Sequence, residues 1–227
     1  MISRTPTPDD IESVLAAVET IPPSLFDHYE GSRENEITTA LIDAVFSIRS
    51  KYDSATPGLG VSGRLSTFRG QHQETLDNLR ALVDIGTQEI ARVMGNGKTS
   101  QRSKASAVIE AADALVATGV VTSADLRNKA TSGQKGYQAV RAAYTGVHGL
   151  GKVTFEYLMM LVGVPGVKSD VMVRRFVAQA LGEDEVSSER AHALVVGAHD
   201  ELRHRARFTQ NLTAFDHGIW LYQRTQD

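Results

Sequence analysis

Residues 137–181 read YQAVRAAYTGVHGLGKVTFEYLMMLVGVPGVKSDVMVRRFVAQAL. Apolar residues recur every three or four positions on both sides of a Val-His-Gly-Leu-Gly turn at 147–151, which predicts helices over 137–147 and 153–162. Two glycines that flank one apolar residue let the backbone turn tightly, while Leu150 fills the space between the helices. The stretch therefore predicts a helix, a tight hairpin and a second helix.

The hairpin also predicts a site for an anion. A turn of this kind directs several backbone N–H groups outward, and the following helix adds the positive end of its dipole. Such a site suits a DNA phosphate. A plain helical hairpin with a glycine turn is the alternative. On the first interpretation the residues that contact DNA are His148, Gly149, Leu150, Gly151 and Lys152.

A third helix is predicted over 171–181, directly after Lys168-Ser169-Asp170. Asp170 is a good N-cap residue, and capping alone would explain it. A carboxylate at a helix start is also stabilised in its ionised form, so it can in turn stabilise a developing cation. Cleavage of an N-glycosidic bond produces such a cation, by chemical analogy with glycoside hydrolysis. Asp170 is therefore the candidate catalytic residue.

These residues resemble the helix-hairpin-helix DNA glycosylase superfamily, the endonuclease III-like fold. Its signature is a Leu-Pro-Gly-[Val/Ile]-Gly hairpin, a helix, and an Asp that opens a later helix. Residues 147–151 stand where that hairpin would be, and Asp170 stands where the catalytic aspartate would be. With lower specificity, 41–54 resembles the early core helix and its substrate-side loop, and 96–116 the turn into a long helix with a basic residue near its start.

The resemblance implies base excision by hydrolysis, without lyase activity. Val153 stands at the position of the Schiff-base lysine of bifunctional members, and Lys152 is one residue early, on another helix face. His148 replaces the usual proline, and the chain has no cysteine for an iron–sulfur cluster. Arg49 lies near the position from which relatives insert a side chain into the duplex. A surface arginine at a helix end is the alternative for Arg49.

Charge is distributed unevenly along a chain of net charge −3. Residues 8–36 carry eight acids and one base, whereas 92–104 and 126–155 contain no acid. Surfaces that contact phosphate need such acid-free stretches, because each acid weakens the contact with the DNA backbone. We therefore expect Lys98 and Lys104 to bind DNA as well. A solvated face that happens to be basic is the alternative.

Helical periodicity extends over most of the chain, and no strand alternation exceeds four residues. We predict an all-α fold, a two-lobed bundle of ten or more short helices with a helix-hairpin-helix motif. Residues 1–227 are expected to form one helical domain, in which about 40–167 make a central lobe ending in that motif and 1–39 with 168–227 make a second lobe. The predicted helices outside 137–181 are 11–21, 34–52, 76–84, 89–94, 103–117, 189–203 and 212–224.

Three functions remain open from the sequence. The first is a monofunctional DNA glycosylase-like enzyme, and the second is a non-catalytic helix-hairpin-helix DNA-binding protein. The third, a helical interaction protein without nucleic acid, leaves the acid-free window 126–155 unexplained. The first function requires an extruded base, because the sugar–base bond is inaccessible inside the stack.

The expected partner is duplex DNA, and we expect a monomer. No apolar run approaches the roughly 18 residues of a membrane span, and ISRTPTPDD at 2–10 is polar where a signal peptide would be apolar, so we expect a cytoplasmic protein, nucleoid-associated if bacterial. The seven histidines form no H-E-x-x-H pattern, and no metal site is predicted. No cofactor is expected apart from a monovalent cation at the hairpin carbonyls, which the resemblance implies.

Overall fold

The computed structural model describes residues 5–27, 29, 32–205 and 207–226. About 65% of the structure is helical, which confirms the all-α prediction. None of the helices in these ranges is long and apolar enough to cross a membrane. The α-helices are α1 (Pro8–Val18), α2 (Ile37–Phe46), α3 (Gly60–Gln71), α4 (Leu79–Met94), α5 (Lys104–Ala117), α6 (Ser123–Thr131), α7 (Gln134–Thr145), α8 (Lys152–Leu161), α9 (Val171–Leu181), α10 (Ser188–His204) and α11 (Leu212–Arg224). Short 3₁₀ turns occur at Pro23–Phe26 and Gln73–Thr75, and β1 (Lys98–Thr99) pairs with β2 (Arg102–Ser103) in an antiparallel hairpin.

The chain divides into two compact units. The central unit is Ser32–Val164, and the terminal unit combines Met1–Gly31 with Pro165–Asp227. The central unit begins earlier than the predicted boundary at residue 40, because Ile37 is fully buried in its core and the Arg33 N–H donates to the Leu161 carbonyl at 2.6 Å.

Helix α2 is the centre of the central unit, and all ten of its residues are buried. It packs against α3, α4, α5 and α8, which leaves no face for solvent and explains why its sequence, ITTALIDAVF, is apolar on nearly every side. Its one charged residue, Asp43, accepts hydrogen bonds from Ser47 Oγ at 2.8 Å and Tyr52 Oη at 2.9 Å. A buried carboxylate needs such donors, since burial without them is costly.

The terminal unit has a separate core, formed by the apolar faces of α1, α9, α10 and α11. Phe26 of the first 3₁₀ turn stacks on Phe215 with ring centroids 5.7 Å apart. A Cβ at Gly218 would lie 2.2 Å from the Phe26 ring, so glycine is required where the turn crosses α11. Arg190 joins elements at the edge of this core through its ion pairs with Asp10 and Glu183.

Several boundaries differ from the predicted ones. The helix predicted over 34–52 ends at Phe46, because the backbone reverses at Arg49, whose φ is 48°. The helices predicted over 76–84 and 89–94 form one element, α4, interrupted by a non-helical Gly86. Helices α3 and α6 were not predicted, since glycines and polar residues obscure their apolar periodicity.

Candidate nucleic-acid interface

The turn between α7 and α8 has the geometry of a tight glycine hairpin. Its backbone closes through a hydrogen bond from the Leu150 N–H to the Val147 carbonyl at 3.0 Å, and both side chains are buried in the central core. Gly149 has a φ of 90°, a region that side chains rarely adopt. Leu150 therefore fills the space between the two helices, as the sequence predicts.

Helix α8 begins with backbone donors that have no partner among the described residues. Gly151 is its N-cap, with an extended backbone, and the Gly151 N–H donates to Thr154 Oγ1 at 3.1 Å. In the described part of the chain, nothing accepts from the N–H groups of Val153 and Thr154 in the first turn. These donors, together with the helix dipole, favour an external anion.

A second turn is joined to the first. Ser100 and Gln101 of the β1–β2 turn have φ values of 46° and 67°, which turn the strand pair tightly. Thr99 Oγ1 donates to the Gly149 carbonyl at 2.9 Å, and His148 Nε2 lies 3.2 Å from the Ser100 carbonyl oxygen. The two turns are therefore braced against each other.

A glycine at position 149 is required by this contact as well as by its φ. A Cβ built there would lie 2.9 Å from Thr99 Cγ2. At Gly151 the same atom would meet nothing within 4 Å. The two glycines of the hairpin thus have different roles. Gly149 allows close packing against Thr99, and Gly151 leaves open space in front of the start of α8.

The cations near these turns are not equivalent. The Lys98 side chain is exposed, and its ammonium has no hydrogen bond or ion pair among the described residues. Lys152 is half-buried, with Nζ 3.7 Å from Glu156 Oε1, and Arg102 is paired with Glu110. Of the predicted DNA contacts, the structure thus brings His148, Gly149, Leu150, Gly151 and Lys152 into one turn and places Lys98 on the strand beside it.

The expectation for Lys104 needs correction. Its side chain is 2% exposed, and its ammonium donates to the Phe46 and Ile48 carbonyls and to Ser50 Oγ. All three N–H donors of an ammonium are then used inside the protein. Lys104 cannot bind a phosphate in this arrangement, because its charge lies beneath the surface.

One of the basic residues in the acid-free window 126–155, Arg127, also forms hydrogen bonds inside the protein. The Arg127 guanidinium donates to the Val162 carbonyl at 2.9 Å and to the Glu34 carbonyl. Arg127 therefore ties α6 to the segments before α2 and after α8. The charge of this window overstates the charge available at the surface.

Arg49 lies on the reversal that follows α2. Its side chain is exposed, and no described residue forms a hydrogen bond or ion pair with it. The structure therefore leaves this guanidinium available to a partner from solution.

Asp170 lies in the terminal unit and caps α9. Its Oδ1 accepts from the Met172 N–H at 2.9 Å and the Val173 N–H at 3.4 Å, which confirms the predicted N-cap. Its Oδ2 has no donor among the described residues. The next residue, Val171, is 55% exposed, so the helix start that carries this carboxylate is open to solvent.

The sequence predicts no metal site, and the resemblance implies a monovalent cation at the hairpin. The described residues include no group of three or more His, Asp or Glu side chains placed to hold a metal ion. At the hairpin, the carbonyls of Val147 and Gly149 already accept hydrogen bonds from Leu150 and Thr99, so each retains one lone pair for an ion. The monovalent cation stays a prediction.

Two features of this interface are not visible in the local sequence pattern. The β1–β2 hairpin has a Ser-Gln turn, which lacks the Asn-Gly or Asp-Gly signal typical of a tight hairpin. The burial of Lys104 depends on residues more than fifty positions away. The acid-free stretch 92–104 therefore predicts neither the tight β1–β2 turn nor the burial of Lys104.

The fold and the interface define an all-α protein with two helical units and a glycine hairpin between α7 and α8. The chain belongs to the family described as "Domain of unknown function (DUF8548)", whose family model matches residues 14–224. No curated protein and no solved structure matches the chain.

Proposed function

We propose that this chain is a monofunctional DNA glycosylase-like protein that holds duplex DNA at the hairpin and hydrolyses the N-glycosidic bond of a damaged or modified base. The observation that carries the proposal is the braced pair of turns at 98–103 and 147–151. They combine the N–H groups of Val153 and Thr154, for which the described residues offer no acceptor, with an exposed lysine at position 98. Backbone donors and a cation are the groups that position a DNA phosphate. A cytoplasmic, DNA-associated location is part of the same proposal.

Asp170 supplies the negative charge for the chemistry. When the bond between C1′ and the base nitrogen breaks, the electron pair leaves with the base and positive charge develops on the sugar. A carboxylate stabilises that charge, and a water molecule then forms the new bond to C1′ and releases a proton, which the departed base nitrogen takes up. Oδ1 holds the helix cap, so Oδ2 is the atom proposed to face the sugar.

One observation favours a second candidate, a non-catalytic DNA-binding protein. Asp170 already has a structural function as the N-cap of α9. Capping alone accounts for a carboxylate at this position. In this candidate the hairpin holds phosphate, and Asp170 has no chemical role.

The test is single-turnover release of free base from a panel of duplexes, each with one damaged or modified base. Asp170→Asn keeps an oxygen that accepts the capping hydrogen bonds, so folding and DNA affinity should persist. If the charge acts on the sugar, release should fall by on the order of a hundredfold or more. The matched control is Asp9→Asn, which removes an exposed carboxylate from the first turn of α1.

Equal release by wild type and Asp170→Asn would contradict the catalytic assignment. If wild type binds duplex DNA but releases no base from any member of the panel, the second candidate is favoured. Absence of binding at low ionic strength would contradict both candidates.

A further inference from the structure

The C-terminal end of α2 is held by a buried cation. Lys104 Nζ donates to the Phe46 carbonyl at 2.9 Å, to the Ile48 carbonyl at 2.6 Å and to Ser50 Oγ at 2.7 Å. Burial lowers the pKa of Lys104, so its charge is kept at a cost that these acceptors must offset. The ammonium also opposes the negative end of the α2 dipole.

The turn that follows α2, residues 47–52, is held by further hydrogen bonds. Asp43 accepts from Ser47 Oγ and Tyr52 Oη, one on each side of the reversal. The Tyr52 carbonyl accepts from the Ser62 N–H at 3.0 Å in α3. The backbone is therefore attached to the core before and after Arg49.

Arg49 itself occupies a conformation that an isolated chain would avoid. Its φ of 48° lies in the left-handed region, which costs a residue with a Cβ about 1 kcal/mol or more. Such a conformation persists only where the surroundings impose it. Here they direct an exposed guanidinium outward from the turn at 47–52.

We propose that Lys104 is a positioning residue, whose buried ammonium holds the turn at 47–52 in the conformation that projects Arg49 into duplex DNA. The inference rests on the proposed function, because duplex DNA is the partner proposed there, and it adopts the interpretation in which Arg49 enters the duplex. Lys104 would then contribute to DNA recognition without touching DNA, although the sequence predicts it as a direct contact.

The first arm of the test uses duplexes that carry 2-aminopurine, whose fluorescence rises when the base is unstacked. Wild type should raise the fluorescence, and Arg49→Ala should remove most of the rise. Lys104→Met keeps the apolar stem but removes the ammonium, and it should lose a similar share. In the double variant the two losses should not add, because both act through the same side chain.

The salt dependence of binding separates positioning from phosphate contact. Lys104→Met should leave the slope of log K against log salt unchanged, since a buried ammonium releases no counterion from DNA. A slope whose magnitude falls by about 0.9 would mean that Lys104 contacts a phosphate directly, which would overturn the proposal.

The second arm needs no DNA. Trypsin cleavage after Arg49, followed by mass spectrometry, should be at least tenfold faster in Lys104→Met than in wild type, because the turn opens locally. Cleavage after Arg80, on the exposed face of α4, is the internal control and should not change. Equal acceleration at both sites would indicate global destabilisation and contradict a specific hold on the turn.

If Lys104→Met does not fold, Ser50→Ala removes one of the three acceptors at the exposed end of the turn. It should change cleavage and fluorescence in the same direction by a smaller factor, whereas Ser66→Ala on α3 should change neither. Wild type that fails to bind any duplex contradicts the proposed function. Wild type that unstacks the base while Lys104→Met does so equally contradicts the positioning role alone.

Discussion

Helix α8 begins at a glycine, whereas α9 begins at an aspartate. Gly151 has no side chain to cap its helix, and the N–H groups of Val153 and Thr154 have no acceptor in the described residues. Asp170 supplies Oδ1 to the equivalent donors of its own helix. A helix start without a capping side chain is suited to an external anion, and one that carries a carboxylate repels it. The two starts thus have opposite electrostatic character, as the proposed phosphate binding and the proposed cation stabilisation require.

Of the substitutions that test this comparison, Gly149→Ala is expected to change stability and DNA affinity most. Alanine at a φ of 90° is strained, and its Cβ would lie 2.9 Å from Thr99 Cγ2. The free energy of unfolding should fall by about 1–3 kcal/mol, and DNA affinity should fall with it for all sequences alike. Denaturant unfolding and binding titrations measure both. Gly151→Ala is the matched control, since its Cβ meets nothing within 4 Å, and a loss as large as that of Gly149→Ala would contradict the distinction.

Gly151→Asp would give α8 the kind of start that α9 has. The backbone of residue 151 is extended, as an N-cap requires, so the helix should gain a few tenths of a kcal/mol. The new carboxylate should weaken duplex binding by about tenfold or more through repulsion of the phosphate. Gly151→Ser separates cap from charge, because it supplies an acceptor without a negative charge. Unchanged affinity in Gly151→Asp would show that no phosphate lies at this helix start.

Asp170→Ala removes the cap of α9 and should lower the free energy of unfolding by about 1 kcal/mol. Asp170→Asn should leave the stability almost unchanged, because the amide oxygen accepts the same two N–H groups. Thermal unfolding of the three proteins measures the difference. A loss in Asp170→Asn equal to that in Asp170→Ala would mean that the charge, rather than the hydrogen bonds, stabilises the helix start.

The smallest effect is expected from Lys98→Gln. If three to five phosphates are engaged, the slope of log K against log salt should be about −3 to −4.5, and loss of one contact should reduce its magnitude by about 0.9. Arg80→Gln is the control, because it removes an exposed cation from α4, away from the two turns. A slope that Lys98→Gln leaves unchanged would remove the β1–β2 turn from the interface.

Local sequence signals were sufficient where a feature depends on neighbouring residues. The bounds predicted for α9 and α11, 171–181 and 212–224, agree with the structure, because an N-cap residue directly precedes each segment and an apolar face lies within it. The helix predicted from residue 34 failed at its end, because apolar residues at 48 and 52 continue the helical spacing while the backbone reverses between them.

Taken by itself, the sequence determined the helical class, the glycine turn at 147–151 and the cap at Asp170, since each follows from residues a few positions apart. Tertiary structure alone decided that Thr99 braces Gly149, that Arg49 stands on a left-handed turn, and that Lys104 lies beneath the surface. The acceptors of Lys104 are 54–58 positions away in the sequence. A lysine at a helix start has the same local sequence whether its ammonium meets solvent or, as here, two carbonyls and a hydroxyl. Only the packing of α2 against α5 therefore distinguishes a surface cation from a buried one.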